Sequence, residues 1–298
     1  MKNRNRFLAA FSVLFIAATT QVAHAGTLDT IKANGVINIG ARDASIPFSY
    51  VTASGGKPMG YSVDICNKIA EAVKARIGAP NLKVNYTVVT PANRQALIQN
   101  GTIDIECSTA TNTIARQEQV DFSPTVFEAR ETAVVMKSSG INSFADFKGK
   151  TVSTTSGSTA VQLLRAFKSK NDIDVTFLYG KDVPDSFLML SAGRASAFVQ
   201  EDALLAGQVA NTGNANDYKI LDGDFQTQPF AFMFRKNDPE FRKVVDSTIR
   251  QMASSGELAQ LYAKWFTQPI PPKNLNLNLP MSAANAANFK NPGSTGVQ

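Results

Sequence analysis

The chain has 298 residues, a formal charge of +6, 44% hydrophobic residues, two cysteines and one histidine. Such a length accommodates one large domain or two medium ones. With a single histidine and two cysteines, soft ligands are too few for most zinc sites.

The first residues read as a secretory signal peptide. Lys2, Arg4 and Arg6 form a basic start, Phe7 to Ala18 is an apolar run short for a bilayer, and Ala23 and Ala25 suit cleavage before Gly26. Residues 1–25 are therefore expected to be removed, taking His24 with them and lowering the charge from +6 to +3. A mature chain without histidine cannot run a Ser-His or Cys-His mechanism. Its small charge is no nucleic-acid footprint. The exported compartment makes Cys66 and Cys107 a candidate disulfide, the alternative being two buried thiols.

From there strands and helices alternate. "VINIGAR" (36–42) predicts a strand and "GYSVDICNKIAEAVKARIG" (60–78) a helix with Val63, Ile65, Ile69, Ala70 and Val73 near one face. "LKVNYTVV" (82–89) predicts a strand, "PANRQALIQNG" (91–101) a short helix between Pro91 and Gly101, and "TIDIEC" (102–107) a strand. Next come Ser108, Thr109, Thr111 and Thr113, with Arg116 beyond them. So many hydroxyls ahead of an arginine suit an anion site, a nucleophile's pocket or a helix cap.

A second run of the same kind follows "ETAVVMK" (131–137). It has strands at 150–155, 174–179 and 195–201, and helices at 156–170 and 185–193. "QPFAFMFRK" (228–236) predicts a strand that leads into the last helices. Two βαβ runs joined by two extended crossings predict two lobes with a cleft between them, each lobe a mostly parallel, helix-covered sheet. "GKT" at 149–151 is no P-loop, since Phe144 stands where that motif needs glycine, and no G-x-S-x-G elbow occurs.

The ordered series "GVINIGARDASIPFSY", "GYSVDICNKIAEAV", "TIDIECSTATNTIARQ", "VDFSPTVFE", "FKGKTVSTTSGST", "GRASAFVQEDALLAG" and "GELAQLYAKWFTQPIPPKNLNLN" resembles the periplasmic amino-acid-binding proteins of ABC importers. It is most similar to the glutamate/aspartate-binding members, over nearly the whole mature chain. The resemblance implies an α/β Venus-flytrap fold, with residues 26–134 and 231–298 as lobe 1 and 135–230 as lobe 2. It implies a periplasmic monomer that binds L-glutamate or L-aspartate and docks on an inner-membrane ABC permease, without cofactor, metal, nucleic acid or catalysis.

Carried onto this chain, the resemblance places Thr109 and Thr111 at the ligand's head group and Arg116 on its α-carboxylate. Thr155 and Ser158 form the facing wall, and Glu201 matches an aspartate that receives the α-ammonium, with Asp202 as its neighbour. Arg42 and Arg94 match two arginines for a distal carboxylate. A guanidinium suits that task because its planar fork matches a carboxylate bidentately. Pro91 and Val183 depart from the pattern, replacing a hydroxyl residue and a histidine. Phe48 suits either packing over the ligand or a core role. Competing readings are a receptor for another polar amino acid, an exported dehydratase-like enzyme on the same scaffold, and a sensor domain.

Overall fold

The computed structural model describes residues 26–298, so the expected signal peptide and His24 lie outside the described residues. The chain begins with α1 (Thr27–Asn34), β1 (Val36–Ala41), a hairpin of β2 (Ala44–Ser45) and β3 (Ser49–Tyr50), and α2 (Tyr61–Ile77). It continues with β4 (Lys83–Val88), α3 (Arg94–Gln99), β5 (Ile105–Glu106), α4 (Ile114–Gln117) and β6 (Asp121–Phe122). β4, β1 and β5 run parallel with β1 in the middle, because each connection is long enough to hold a crossover helix. α2 buries Ile65, Cys66, Ile69 and Val73 against this sheet, the 3–4 residue spacing that makes one face of a helix.

The second lobe holds β7 (Phe127–Met136), β8 (Lys150–Thr155), α5 (Ala160–Asn171), β9 (Val175–Gly180), α6 (Val183–Ser191), β10 (Ala197–Glu201), α7 (Asp202–Thr212), β11 (Tyr218–Ile220) and β12 (Gln226–Phe230). β9, β8 and β10 form its parallel triplet, and β7 adds on antiparallel beside β10. The chain then returns through β13 (Met233–Phe234), which lies antiparallel between β5 and β6, to α8 (Pro239–Ser254), α9 (Glu257–Tyr262) and α10 (Ala283–Lys290). Each sheet is thus a parallel triplet extended by antiparallel strands.

The crossings lie side by side. Phe127 pairs with Phe230 in one sheet, Phe122 with Met233 in the other, and between them Val126 N donates to Phe230 O at 2.8 Å. The expected strand 228–236 is therefore two strands in two sheets, split where Ala231 and Phe232 change lobes. The expected boundary at 134/135 falls inside β7, which is hydrogen-bonded into the second sheet from Phe127 onward. By sheet membership the lobes divide between Phe122 and Phe127 and between Phe230 and Met233. "TIDIEC" keeps only Ile105 and Glu106 as strand, and the hydroxyl-rich start expected of the 156–170 helix is a turn that ends at Thr159.

Phe48 is fully buried beneath the crossings. Its ring meets Phe127, Phe230 and Phe266 edge-on at 5.0, 5.3 and 5.3 Å, so its role is in the core. The polar tail also packs here. Ser282 caps α10, Thr125 N donates to Gly293 O at 2.6 Å, and Ile114 N donates to Val297 O at 2.9 Å.

Candidate functional site

The ends of β1, β5, β8 and β10 face one another across the cleft, as the carboxyl ends of parallel strands do in open α/β sheets. Arg42 follows β1. Its N–H donates to Ser49 Oγ at 2.8 Å, and that hydroxyl donates back to Arg42 O at 2.8 Å. The backbone is thereby clamped and the side chain left to project. Arg42 is only 2% exposed, yet among the described residues its Nε and one Nη find no hydrogen-bond partner. Burial, then the charge of Arg94, push its guanidinium down to about 10.

Arg94 opens α3 and is also buried, with Nη1 3.5 Å from Glu106 Oε1. Glu106, at the end of β5, is fully buried and accepts a hydrogen bond from Ser108 Oγ as well. Cys107 beside it bonds to Cys66 with the Cα atoms 6.2 Å apart, tying α2 to the end of β5 as expected.

The hydroxyl row divides its tasks. Thr113 caps α4 by accepting from Arg116 N at 3.2 Å, while Thr109 and Thr111 are buried ahead of it. Capping does not send Arg116 to the surface. One Nη donates to Thr111 O at 2.9 Å and the other to Gly157 O of the second lobe at 3.1 Å. The half-buried guanidinium bridges the lobes, and burial followed by Arg94's charge pushes it down to about 10.

The facing wall starts where β8 ends at Thr155. Gly157 follows with φ +78°, and a Cβ there would come 2.8 Å from Ala92 N, so the turn closes on the first lobe only because the residue is glycine. Ser158 Oγ donates to Thr155 O at 2.7 Å, and Thr155 Oγ1 lies 3.1 Å from Ser186 Oγ. Glu201 ends β10, 3% exposed, and accepts from Gln200 Nε2. Burial raises its carboxyl, while backbone and side-chain hydrogen bonds, Arg94 and Arg116 oppose the shift. Asp202, its neighbour, instead pairs with Arg130 at 3.0 Å and accepts from Ala203 N at 2.8 Å. Val183 is buried in the core, and Pro91 packs its backbone against the Gly157 turn.

The fold thus gathers buried Arg42, Arg94 and Glu201 and half-buried Arg116 into one charge cluster, with Thr109 and Thr111 on one wall and Thr155 and Ser158 on the other. It adds three acids that the sequence reading passed over. Glu106 pairs with Arg94, and Asp182 acts on Arg42 from the start of α6. Glu131 of β7 is fully buried beside Glu201. For Glu106 and Glu131 the overlooked signal was an acid in a strand rich in apolar residues, "TIDIEC" and "ETAVVMK", where burial forces the charge to find a partner or a proton.

The model of the bacterial extracellular solute-binding proteins, family 3, matches residues 37–268. An L-glutamate/L-aspartate-binding protein of Pseudomonas aeruginosa is 47% identical over 257 residues, 86% of this chain and 85% of the relative. The glutamate/aspartate import solute-binding protein of Escherichia coli is 40% identical over 291 residues, 95% of this chain and 96% of the relative. Among solved structures, an ancestral amino acid-binding protein that is a precursor of cyclohexadienyl dehydratase superposes with a TM-score of 0.70 at 27% identity. That match covers 82% of this chain and all of the other.

Proposed function

The chain belongs to the bacterial extracellular solute-binding proteins, family 3, and from that premise we propose that it captures L-glutamate or L-aspartate in the interlobe cleft and delivers it to an ABC permease. The observation that carries the substrate class is the Arg42 guanidinium, buried beside Arg94 with two nitrogens that find no partner among the described residues. A buried cation without a partner is costly, and a ligand carboxylate supplies the partner. Arg42 and Arg94 take the distal carboxylate. Arg116, with Thr109 and Thr111, takes the α-carboxylate, Thr155 and Ser158 close over it, and Glu201 receives the ammonium.

The protein works as a periplasmic monomer whose lobes close on the ligand. In the structure Arg116 already joins Thr111 to Gly157 across the cleft, the kind of contact that a closed state gains over an open one. A catalytic reading on the same scaffold has one specific observation in its favour, the likeness to a dehydratase precursor. Against it stand relatives 40–47% identical over most of the chain, which are glutamate/aspartate-binding proteins.

Calorimetry with glutamate, aspartate, glutamine and asparagine tests the assignment. The acids are expected to bind at least tenfold more tightly than the amides, since leaving a buried cation underpaired costs several kcal/mol against about 1.4 for a factor of ten. A preference for an amide or an apolar amino acid refutes the acidic-ligand reading. Product formed from a prephenate-like acid refutes the non-enzymatic one.

A further inference from the structure

Glu131 has no task in the reading above. It stands directly across from Glu201 in the antiparallel β7–β10 ladder. Residues so paired share one face of the sheet, with Cβ atoms about 4.5–5.5 Å apart. Here it is the face under α5, where Ala133, Val135, Ala197 and Val199 continue the two rows and pack with Ala160 and Leu164. Glu131 is fully buried and Glu201 is 3% exposed.

Their surroundings hold few compensating groups. Thr159 Oγ1 lies 3.3 Å from Glu131 Oε2 and 2.8 Å from Gln228 Oε1, and its single proton serves one of them at a time. Glu131 Oε1 has no partner among the described residues. Gln200 Nε2 donates to Glu201. Of the charged groups around the pair, Asp202 at the start of α7 adds repulsion, and Arg130 is drawn to Asp202. Arg94 from α3 and Arg116 from α4 act on the Glu201 side. Two adjacent buried carboxylates in such a setting do not both ionise. Burial first, then Glu201, hold the Glu131 carboxyl well above the usual carboxylate range.

We propose that Glu131 and Glu201 act as one carboxylate pair that holds a single proton and releases it when the ammonium group of the bound amino acid docks against the pair. The inference rests on the reading of Glu201 as the ammonium acceptor. The ammonium keeps its three protons and donates hydrogen bonds, and the proton of the pair passes to solvent, so charge and protons balance. Glu131 is then a second acceptor of the head group. The sign of the pH effect follows by linkage. At low pH the proton competes with the ammonium, and affinity rises with pH until the free pair has lost its proton.

The test is calorimetry of glutamate binding in two buffers of different ionisation enthalpy, at about pH 6, 7 and 8, for wild type and Glu131→Gln. Wild type is expected to release up to about one proton per ligand, with affinity rising by up to about tenfold per pH unit where release is complete. Glu131→Gln is expected to release almost none and to bind with a nearly flat pH profile. Wild-type heats that do not depend on buffer at any of the three pH values overturn the proposal, as does a variant that releases protons as wild type does. If the variant fails to fold, the wild-type buffer series decides alone. A wild type that binds no amino acid at all refutes the reading beneath it, a separate result because no binding heat is seen.

Discussion

Arg42→Met removes the guanidinium while keeping most of the side-chain volume. Burial, then the charge of Arg94, lower the Arg42 pKa from its ordinary value to about 10. At 1.36 kcal/mol per unit, holding the cation there costs about 3 kcal/mol. The backbone clamp by Ser49 does not depend on the side chain, so the end of β1 keeps its shape. Unliganded Arg42→Met is therefore expected to be as stable as wild type or more so. The gain stays below about 3 kcal/mol, because an opening cleft rehydrates the wild-type arginine and relieves part of the cost. Glutamate binding should weaken by about 2–4 kcal/mol, and the preference for glutamate over glutamine should shrink toward unity. Denaturant unfolding with and without glutamate, together with calorimetry, reads both effects. A loss of more than about 2 kcal/mol in the unliganded variant would mean that the guanidinium is part of the fold's own polar network, and the reasoning would be wrong. Unchanged glutamate affinity would refute it equally.

Arg94 should behave in the opposite way. Arg94→Met leaves Glu106 buried with Ser108 as its remaining donor, so the unliganded protein is expected to lose about 3–5 kcal/mol in chemical unfolding. Adding Glu106→Gln should restore most of that. Reducing Cys66–Cys107, which spans 41 residues, should lower unfolding stability by up to about 4 kcal/mol. Equal midpoints with and without reductant would remove its structural role. In α7 a Cβ at Gly207 would overlap the carbonyl oxygen of Ile46 in the first lobe. Gly207→Val is therefore expected to keep the scattering radius at its unliganded value when glutamate is added and to weaken binding at least tenfold. A normal contraction on adding ligand would show that this contact does not limit closure.

Most of the architecture was legible because it is written in local periodicity. The 3–4 residue spacing of Ile65, Ile69 and Val73 marks α2 whatever it packs against, and two βαβ runs imply two parallel triplets. "QPFAFMFRK" shows where that kind of reading fails. Its apolar run is continuous, so nothing in the pattern marks Ala231 and Phe232 as the point where the chain leaves one sheet for the other. Where β7 joins the second sheet is hidden for the same reason, since hydrogen-bond partners are chosen by strands far away in sequence.

The site divides along the same line. The inventory was readable along the chain: three arginines, a row of hydroxyls and an acid at the end of a strand, in an order that resembles an amino-acid receptor. A helix cap was one of the tasks open to that row, and the structure assigns it to Thr113. Which groups meet is a property of the folded chain. Arg94 and Glu106 are twelve residues apart, Arg116 and Gly157 forty-one, and Glu131 and Glu201 seventy. A charge's cost and its proton depend on burial and on partners within a few ångströms, and those distances exist only once the lobes have folded and faced each other.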